Sequence, residues 1–157
     1  MKLEIERKFL VDNDSWRTGA AGILYRQGYL CADPDRTVRV RLGGETAILA
    51  IKGATEGIAR SEFEYPIPAA EARQLLDHLC LQPPIEKLRY LVDFAGLTWE
   101  IDEFLDANAG LLLAEVELDH PDQEVVLPPW AGREVTHDHR FYNAWLARHP
   151  YSTWKSA

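Results

Sequence analysis

The sequence predicts an α+β, mainly β fold. Eight antiparallel strands, enough to close a barrel, are accompanied by a few flanking helices. Three observations carry this expectation. Apolar and polar residues alternate with period two through most of the chain. The connections between alternating stretches are mostly short enough for hairpins. Helical spacing occurs in only two places.

Taken in order, LEIERKFLV (3–11) alternates and reads as a strand, as does AGILYRQGYLCA (21–32) with Gly28 inside it. DPDR (33–36) is a turn before TVRVRLG (37–43), and GGE (43–45) turns the chain into TAILAIKG (46–53), so these last two segments read as a hairpin. IARSEFEYPI (58–67) is a strand that Pro66 brings to an end. The period then changes. PAAEARQLLDHLCL (68–81) places Ala72, Leu75, Leu76 and Leu79 on one stripe behind a leading proline, which predicts an amphipathic helix. EKLRYLVDFAG (86–96) and LTWEIDEF (97–104) form a further hairpin around Ala95-Gly96, and LLLAEVELD (111–119) is the eighth strand. HRFYNAWLARH (139–149) has helical spacing.

The chain has 157 residues, which suits one domain over 1–157 with a core of its own. A net charge of −8 argues against a general nucleic-acid binder, which carries a basic surface. Cys31 and Cys80 show no CxxC spacing and read as reduced thiols of a cytoplasmic protein. No signal pattern and no apolar run of membrane length are present, so no membrane partner is expected. There is no GxxxxGK[ST] phosphate loop.

The polar faces of the strands are unusual. Glu4, Glu6 and Lys8 share a face, as do Arg39 and Arg41, Glu62 and Glu64, Lys87 and Arg89, Glu100 and Asp102, and Glu115 and Glu117. Lys52 ends its own strand. A solvated sheet face accounts for any one of these pairs. Repeated like-charge pairs are harder to account for. Like charges at i and i+2 stand roughly 7 Å apart, which costs about 2 kcal/mol at an effective dielectric of 20 and well under 1 in water. The signs are also segregated by strand. If the strands close around these faces, a basic wall meets an acidic wall. The ligand satisfying both is a phosphate chain carrying divalent cations: Arg and Lys bind phosphate oxygens, and carboxylates bind Mg²⁺ or Mn²⁺.

These residues carry a resemblance. EIERKFLV has the ExExK pattern of the CYTH superfamily, the triphosphate tunnel metalloenzymes. The likeness continues in order through QGYL (27–30), VRVR (38–41), IKG (51–53), RSEFEYPI (60–67), KLRY (87–90), WEIDEF (99–104), AEVEL (114–118) and EVTHDHRFYN (134–143). It implies an eight-stranded antiparallel tunnel that binds triphosphates, with Mg²⁺ or Mn²⁺. The compact length is similar to that of small bacterial members, several of which hydrolyse inorganic tripolyphosphate. Other members are thiamine triphosphatases, RNA triphosphatases and class IV adenylyl cyclases.

By position, the resemblance implies that Glu4, Glu6, Glu115 and Glu117 are metal ligands and that Glu62 and Glu64 hold or orient a second metal. Lys8, Arg39, Arg41, Lys52, Lys87 and Arg89 match the phosphate-holding positions, and Asp102 the acid of the family's DEF-like block. Tyr29 resembles a tyrosine that pairs with a lysine, here Lys87, in proton transfer; a hydrogen bond in the tunnel wall is the other role open to it. Tyr142 departs from the pattern, being bulkier than the tail block leads one to expect. A non-catalytic polyphosphate-binding module would not need seven acids in phase on four strands. Arg133 and Arg140 read as surface or cap residues, and Trp99, Trp130, Trp145 and Trp154 as packing residues. His137 and His139 have HxH spacing but lack a third zinc-type ligand nearby. Monomer and homodimer both stay open.

Overall fold

The computed structural model describes residues 1–154. Nine strands form one antiparallel sheet: β1 (Lys2–Val11), β2 (Ile23–Asp33), β3 (Arg36–Gly43), β4 (Thr46–Gly53), β5 (Ala59–Ile67), β6 (Ile85–Phe94), β7 (Leu97–Phe104), β8 (Leu112–Glu117) and β9 (Ala131–Glu134). The spatial order is β5-β4-β3-β2-β6-β7-β8-β1-β9, and a β5–β1 pairing closes eight of them into a barrel. The eight strands expected from alternation are all present, with ends displaced by a few residues at most.

Closure rests on β1, which changes partner along its length. Ile5 pairs with Ala59 on one edge, while its carbonyl accepts from the Leu118 amide on the other. Glu6–Leu10 pair with β8 on that second edge. The first edge is shared by β5, opposite Lys2–Ile5, and by β9, opposite Phe9 and Val11. Between them the ladder is interrupted beside Glu6 and Lys8, where the Glu6 amide donates to the Ile58 carbonyl and the Lys8 amide to Thr136 Oγ1.

Apolar packing lies largely outside the barrel wall. Ile5, Phe9, Ile101, Val116 and Trp99 pack beneath the covering segments that carry Trp16 and Trp130, with the Trp99 and Trp130 rings edge-on at 5.3 Å. Burial of such side chains stabilises the fold by about 1.5–3 kcal/mol each. Helix α1 (Ala69–His78) sets Ala72 and Leu76 against Val40 and Ala47. Gly28 is where the helix end comes closest: a Cβ there would stand 2.8 Å from Cys80 Cβ.

Two expectations need correction. Strand β9 was not anticipated, because AGRE is too short to show alternation. The stretch 139–149 is not one helix. It forms a 3₁₀ turn at His139–Phe141 and then the single-turn α2 (Asn143–Leu146), with Tyr142 extended between them. Asp138 starts the turn by accepting from the Arg140 amide. Tyr142 breaks the continuity because its hydroxyl donates to the Thr136 carbonyl and its ring faces the Lys8 ammonium at 5.2 Å. Phe141 and Leu146 then seat the tail against Tyr29, Phe104 and Leu113.

Candidate functional site

The strand order sorts the inner charges. Lys52, Arg39 and Arg41, and Lys87 and Arg89 come from β4, β3 and β6, which are contiguous apart from β2. The acids come from β7, β8, β1 and β5, contiguous on the other side of the ring. Opposite charges meet where the two sets of strands adjoin, at Lys52 beside Glu62 and at Lys87 and Arg89 beside Asp102, while Arg39 and Arg41 lie among other cations.

The walls enclose a cavity of about 700 Å³. Of the fourteen residues singled out from the sequence, nine line it: Glu4, Glu6, Lys8, Tyr29, Arg39, Lys52, Lys87, Arg89 and Glu115. The other five are placed differently. Glu62 is buried behind Lys52, whose Nζ stands 3.3 Å from it and 2.8 Å from Glu4. Asp102 is sealed into the wall. Its carboxylate takes a two-pronged hydrogen bond from Arg89, at 2.8 and 2.9 Å, and a 2.9 Å bond from Lys87 Nζ. Glu64 is exposed, and the half-exposed Glu117 pairs with Lys2 at 2.7 Å. Arg41 sits beside Tyr25, away from the cavity lining. Glu117 and Asp102 thus do not join Glu4, Glu6 and Glu115 around the cavity: one pairs with the exposed Lys2, the other with two cations within the wall.

Electrostatics distinguishes the carboxylates. Burial pushes the Glu6 carboxyl well above the usual carboxylate range, and Glu115 and Glu4 push the same way. Burial also raises Glu4, against Lys52. At Glu115 burial is outweighed by Lys8, helped by Arg89 and Lys87, which hold it at about 2. Lys8 Nζ stands 3.3 Å from Glu115 and donates to the Phe141 carbonyl at 3.1 Å. Asp102 lies well below its ordinary range because Lys87 and Arg89 outweigh its burial. Burial lowers Lys87 to about 8, with Arg89 adding to the effect and Asp102 opposing it.

One cation is incompletely satisfied. Arg39 Nε is buried and makes no hydrogen bond. A buried guanidinium nitrogen without a partner is costly in an empty wall and is what a phosphate oxygen would satisfy. Glu4, Glu6 and Glu115 offer oxygen donors only, the chemistry Mg²⁺ and Mn²⁺ prefer. Among the described residues no three His, Cys, Asp or Glu side chains are gathered into a ready-made cage.

Several lining residues were not singled out from the sequence. The C-terminal segment brings Asn143 to the inner end, where its Oδ1 accepts from Gln27 Nε2 at 2.8 Å and Lys87 Nζ at 3.1 Å. Gln27, the buried partner of Asn143, could have been read from the alternation of Tyr25, Gln27 and Tyr29; Asn143 gives no such signal. His137, His139, Trp145, Arg148 and His149 line the outer part of the cavity, with the Trp145 and His149 rings stacked at 3.8 Å. Trp145 was expected to be a packing residue and is exposed. Trp99 and Trp130 are buried as expected. Arg140 pairs with Asp138 on the surface. Cys31 and Cys80 are free.

The chain is similar in sequence and fold to known proteins. An inorganic triphosphatase of Acetivibrio thermocellus is 50% identical over 157 residues, covering 99% of each chain. An inorganic triphosphatase of Nitrosomonas europaea is 36% identical over 163 aligned positions, covering 92% of this chain and 96% of that one. A crystal structure of an inorganic triphosphatase superposes with a TM-score of 0.66 at 33% identity, covering 94% of this chain and 95% of the other. The CYTH domain family model matches residues 2–142, from the first residue of β1 to the tyrosine that caps the Lys8 pocket. The chain with the closed barrel and its two charged walls therefore belongs to the CYTH domain family.

Proposed function

We propose that this protein hydrolyses inorganic tripolyphosphate to pyrophosphate and phosphate, with Mg²⁺ or Mn²⁺, in the barrel cavity. The observation that carries this reading is the division of one cavity into a basic wall and an acidic wall, with the buried Arg39 Nε lacking a partner on the basic side. The names of the relatives at 50% and 36% identity support it.

In this reading Arg39, Lys52, Lys87, Arg89 and Lys8 hold the phosphate chain and stabilise the charge that grows on the leaving phosphate. Phosphoryl transfer asks chiefly for such positioning and charge stabilisation. Glu4, Glu6 and Glu115 would hold the cation, which neutralises phosphate charge when bound. Glu62 and Glu64 are proposed to orient a second cation's waters, and Glu117 to attract cations at the barrel end. Tyr29, with Lys87 as its partner across the cavity wall, is proposed to move the proton of the attacking water. Asp102 keeps Lys87 and Arg89 in place.

No helix among the described residues is long and apolar enough to cross a membrane. We place the activity in the cytoplasm, where its free thiols stay reduced. The test is a substrate panel with Mg²⁺ and Mn²⁺, reading phosphate, pyrophosphate and cyclic nucleotide. Equimolar phosphate and pyrophosphate from tripolyphosphate is the expected result. Turnover confined to an organic triphosphate would overturn the substrate assignment, and tight tripolyphosphate binding without turnover would make the protein a binding module.

A further inference from the structure

The phosphate-holding wall contains an aromatic residue that the reaction as described does not use. Strand β2 lies between β3 and β6, so Arg41 and Arg89 come from the two strands flanking it. Tyr25 is paired with Gly43 on one side and Lys87 on the other, which makes Arg41 and Arg89 its diagonal neighbours. The Arg41 guanidinium carbon stands 5.1 Å from the Tyr25 ring centroid and that of Arg89 5.0 Å. Both distances are within cation–π range.

The three cations in this region crowd one another. Burial lowers Arg41, and Arg39 and Arg89 lower it further. Arg89 has Asp102 and Glu100 as partners, the latter at 2.5 Å. Strands separated by one intervening strand stand roughly 9–10 Å apart. Here the gap on the inner face is filled by an aromatic ring, whose electron-rich face attracts guanidinium groups and which carries no net charge. The backbone makes room for it. A Cβ on Gly43 would stand 2.3 Å from Tyr25 Cε1 and 2.5 Å from Cδ1. No side chain other than hydrogen fits at position 43 while the ring stays where it is.

We propose that Tyr25, bedded on Gly43, is a positioning residue that sets the direction of the Arg89 guanidinium at the cavity wall for a polyphosphate, with Arg41 braced on the same ring. This rests on the reading of the cavity as a tripolyphosphate site. The ring acts before the chemical step, by holding the Arg89 guanidinium in the geometry the anion needs. Its removal should therefore weaken anion binding and raise KM more than it lowers kcat.

The experiment measures tripolyphosphate binding to the full chain by calorimetry, with KM and kcat from phosphate release and thermal melting as a folding control. Tyr25→Leu removes the ring. Gly43→Ala leaves the ring chemically intact but displaces it from the opposite strand. Both are expected to weaken tripolyphosphate binding about tenfold and to raise KM comparably, with kcat within about threefold. Tyr25→Phe keeps the ring and should restore binding to within about twofold. Equal binding by wild type and a folded Tyr25→Leu variant would overturn the proposal. So would a Tyr25→Phe variant as weak as Tyr25→Leu, since the hydroxyl rather than the ring would then be responsible. A wild-type protein that does not bind tripolyphosphate would overturn the reading of the site, and this proposal with it.

Discussion

Asn143 Oδ1 accepts hydrogen bonds from both Lys87 Nζ, at 3.1 Å, and Gln27 Nε2, at 2.8 Å, so a residue of the C-terminal segment helps to fix a lysine of the phosphate wall. Lys87 and Gln27 are almost completely buried. Removing a shared acceptor leaves two buried donors short of a partner, at about 1–3 kcal/mol. Asn143→Leu is expected to lower stability by about that amount in denaturant titration. It should also reduce kcat about tenfold or more, because Lys87 loses one of the groups that aim it. An unchanged kcat in the folded variant would mean that Asp102 alone aims Lys87.

Glu6 links activity to stability with opposite signs. Its carboxyl is raised well above the ordinary range by burial, Glu115 and Glu4. Between the ordinary value and the raised one, the folded state holds a proton that the unfolded state has lost. The fold is therefore increasingly destabilised as pH rises through that window. Glu6→Gln removes the cost. The metal-free variant should melt higher than the metal-free wild type at neutral pH, yet lose at least a hundredfold in Mg²⁺-dependent phosphate release. Added Mg²⁺ should raise the wild-type melting temperature and leave the variant's nearly unchanged. Melting curves with and without metal, at pH 5 and pH 8, check each part.

How much of this was legible in the sequence depends on how many strands a feature needs. The phase of Glu4, Glu6 and Lys8 is a property of one strand, and alternation reveals it. The segregation of the walls needs the strand order, yet it was foreshadowed because whole strands carry one sign. The fates of Asp102 and Glu117 were not legible. Their partners, Arg89 and Lys87 in one case and Lys2 in the other, depend on which strands become neighbours and where each strand leaves the barrel. The tail was misjudged for a related reason. Its helical spacing is real, but Tyr142 is held extended by Thr136 and Lys8, residues distant in sequence. Tyr25 and Gly43 were hidden because a glycine at a strand end looks like a turn residue until the opposing ring is seen lying on it.

Lys87 sets a pH limit on activity. Burial, with Arg89, lowers its ammonium to about 8, against the pull of Asp102. In the proposed role the charged form holds phosphate and supports Tyr29, so kcat/KM, which reports the unliganded enzyme, should fall as pH rises above about 8. Stability should move the other way. Between about 8 and the ordinary lysine value, the unfolded state binds a proton that the folded state does not, so raising pH through this window favours the fold. Lys87→Arg should shift the alkaline limb of kcat/KM upward by at least one pH unit. A limb that stays in place would assign it to another group.

Asp102 supplies the sharpest separation between a structural counter-ion and a metal ligand. Its carboxylate bonds to Arg89 and Lys87 and is held well below its ordinary range. A carboxyl depressed in this way contributes stability above its unfolded value, and the contribution is lost as pH falls toward the depressed one. Breaking such a buried arrangement by removing one partner costs about 3–5 kcal/mol, because the remaining charges stay buried. Asp102→Asn is therefore expected to melt markedly lower at pH 7. The gap to wild type should narrow toward pH 3, where the wild-type carboxylate's contribution begins to be lost. Tripolyphosphate should recover part of the lost stability, since a bound polyanion supplies the negative charge that Lys87 and Arg89 then lack. Rescue by Mg²⁺ alone would point instead to a metal site that the substitution had weakened. Rescue by tripolyphosphate alone identifies Asp102 as the group that holds the basic wall ready for an anion.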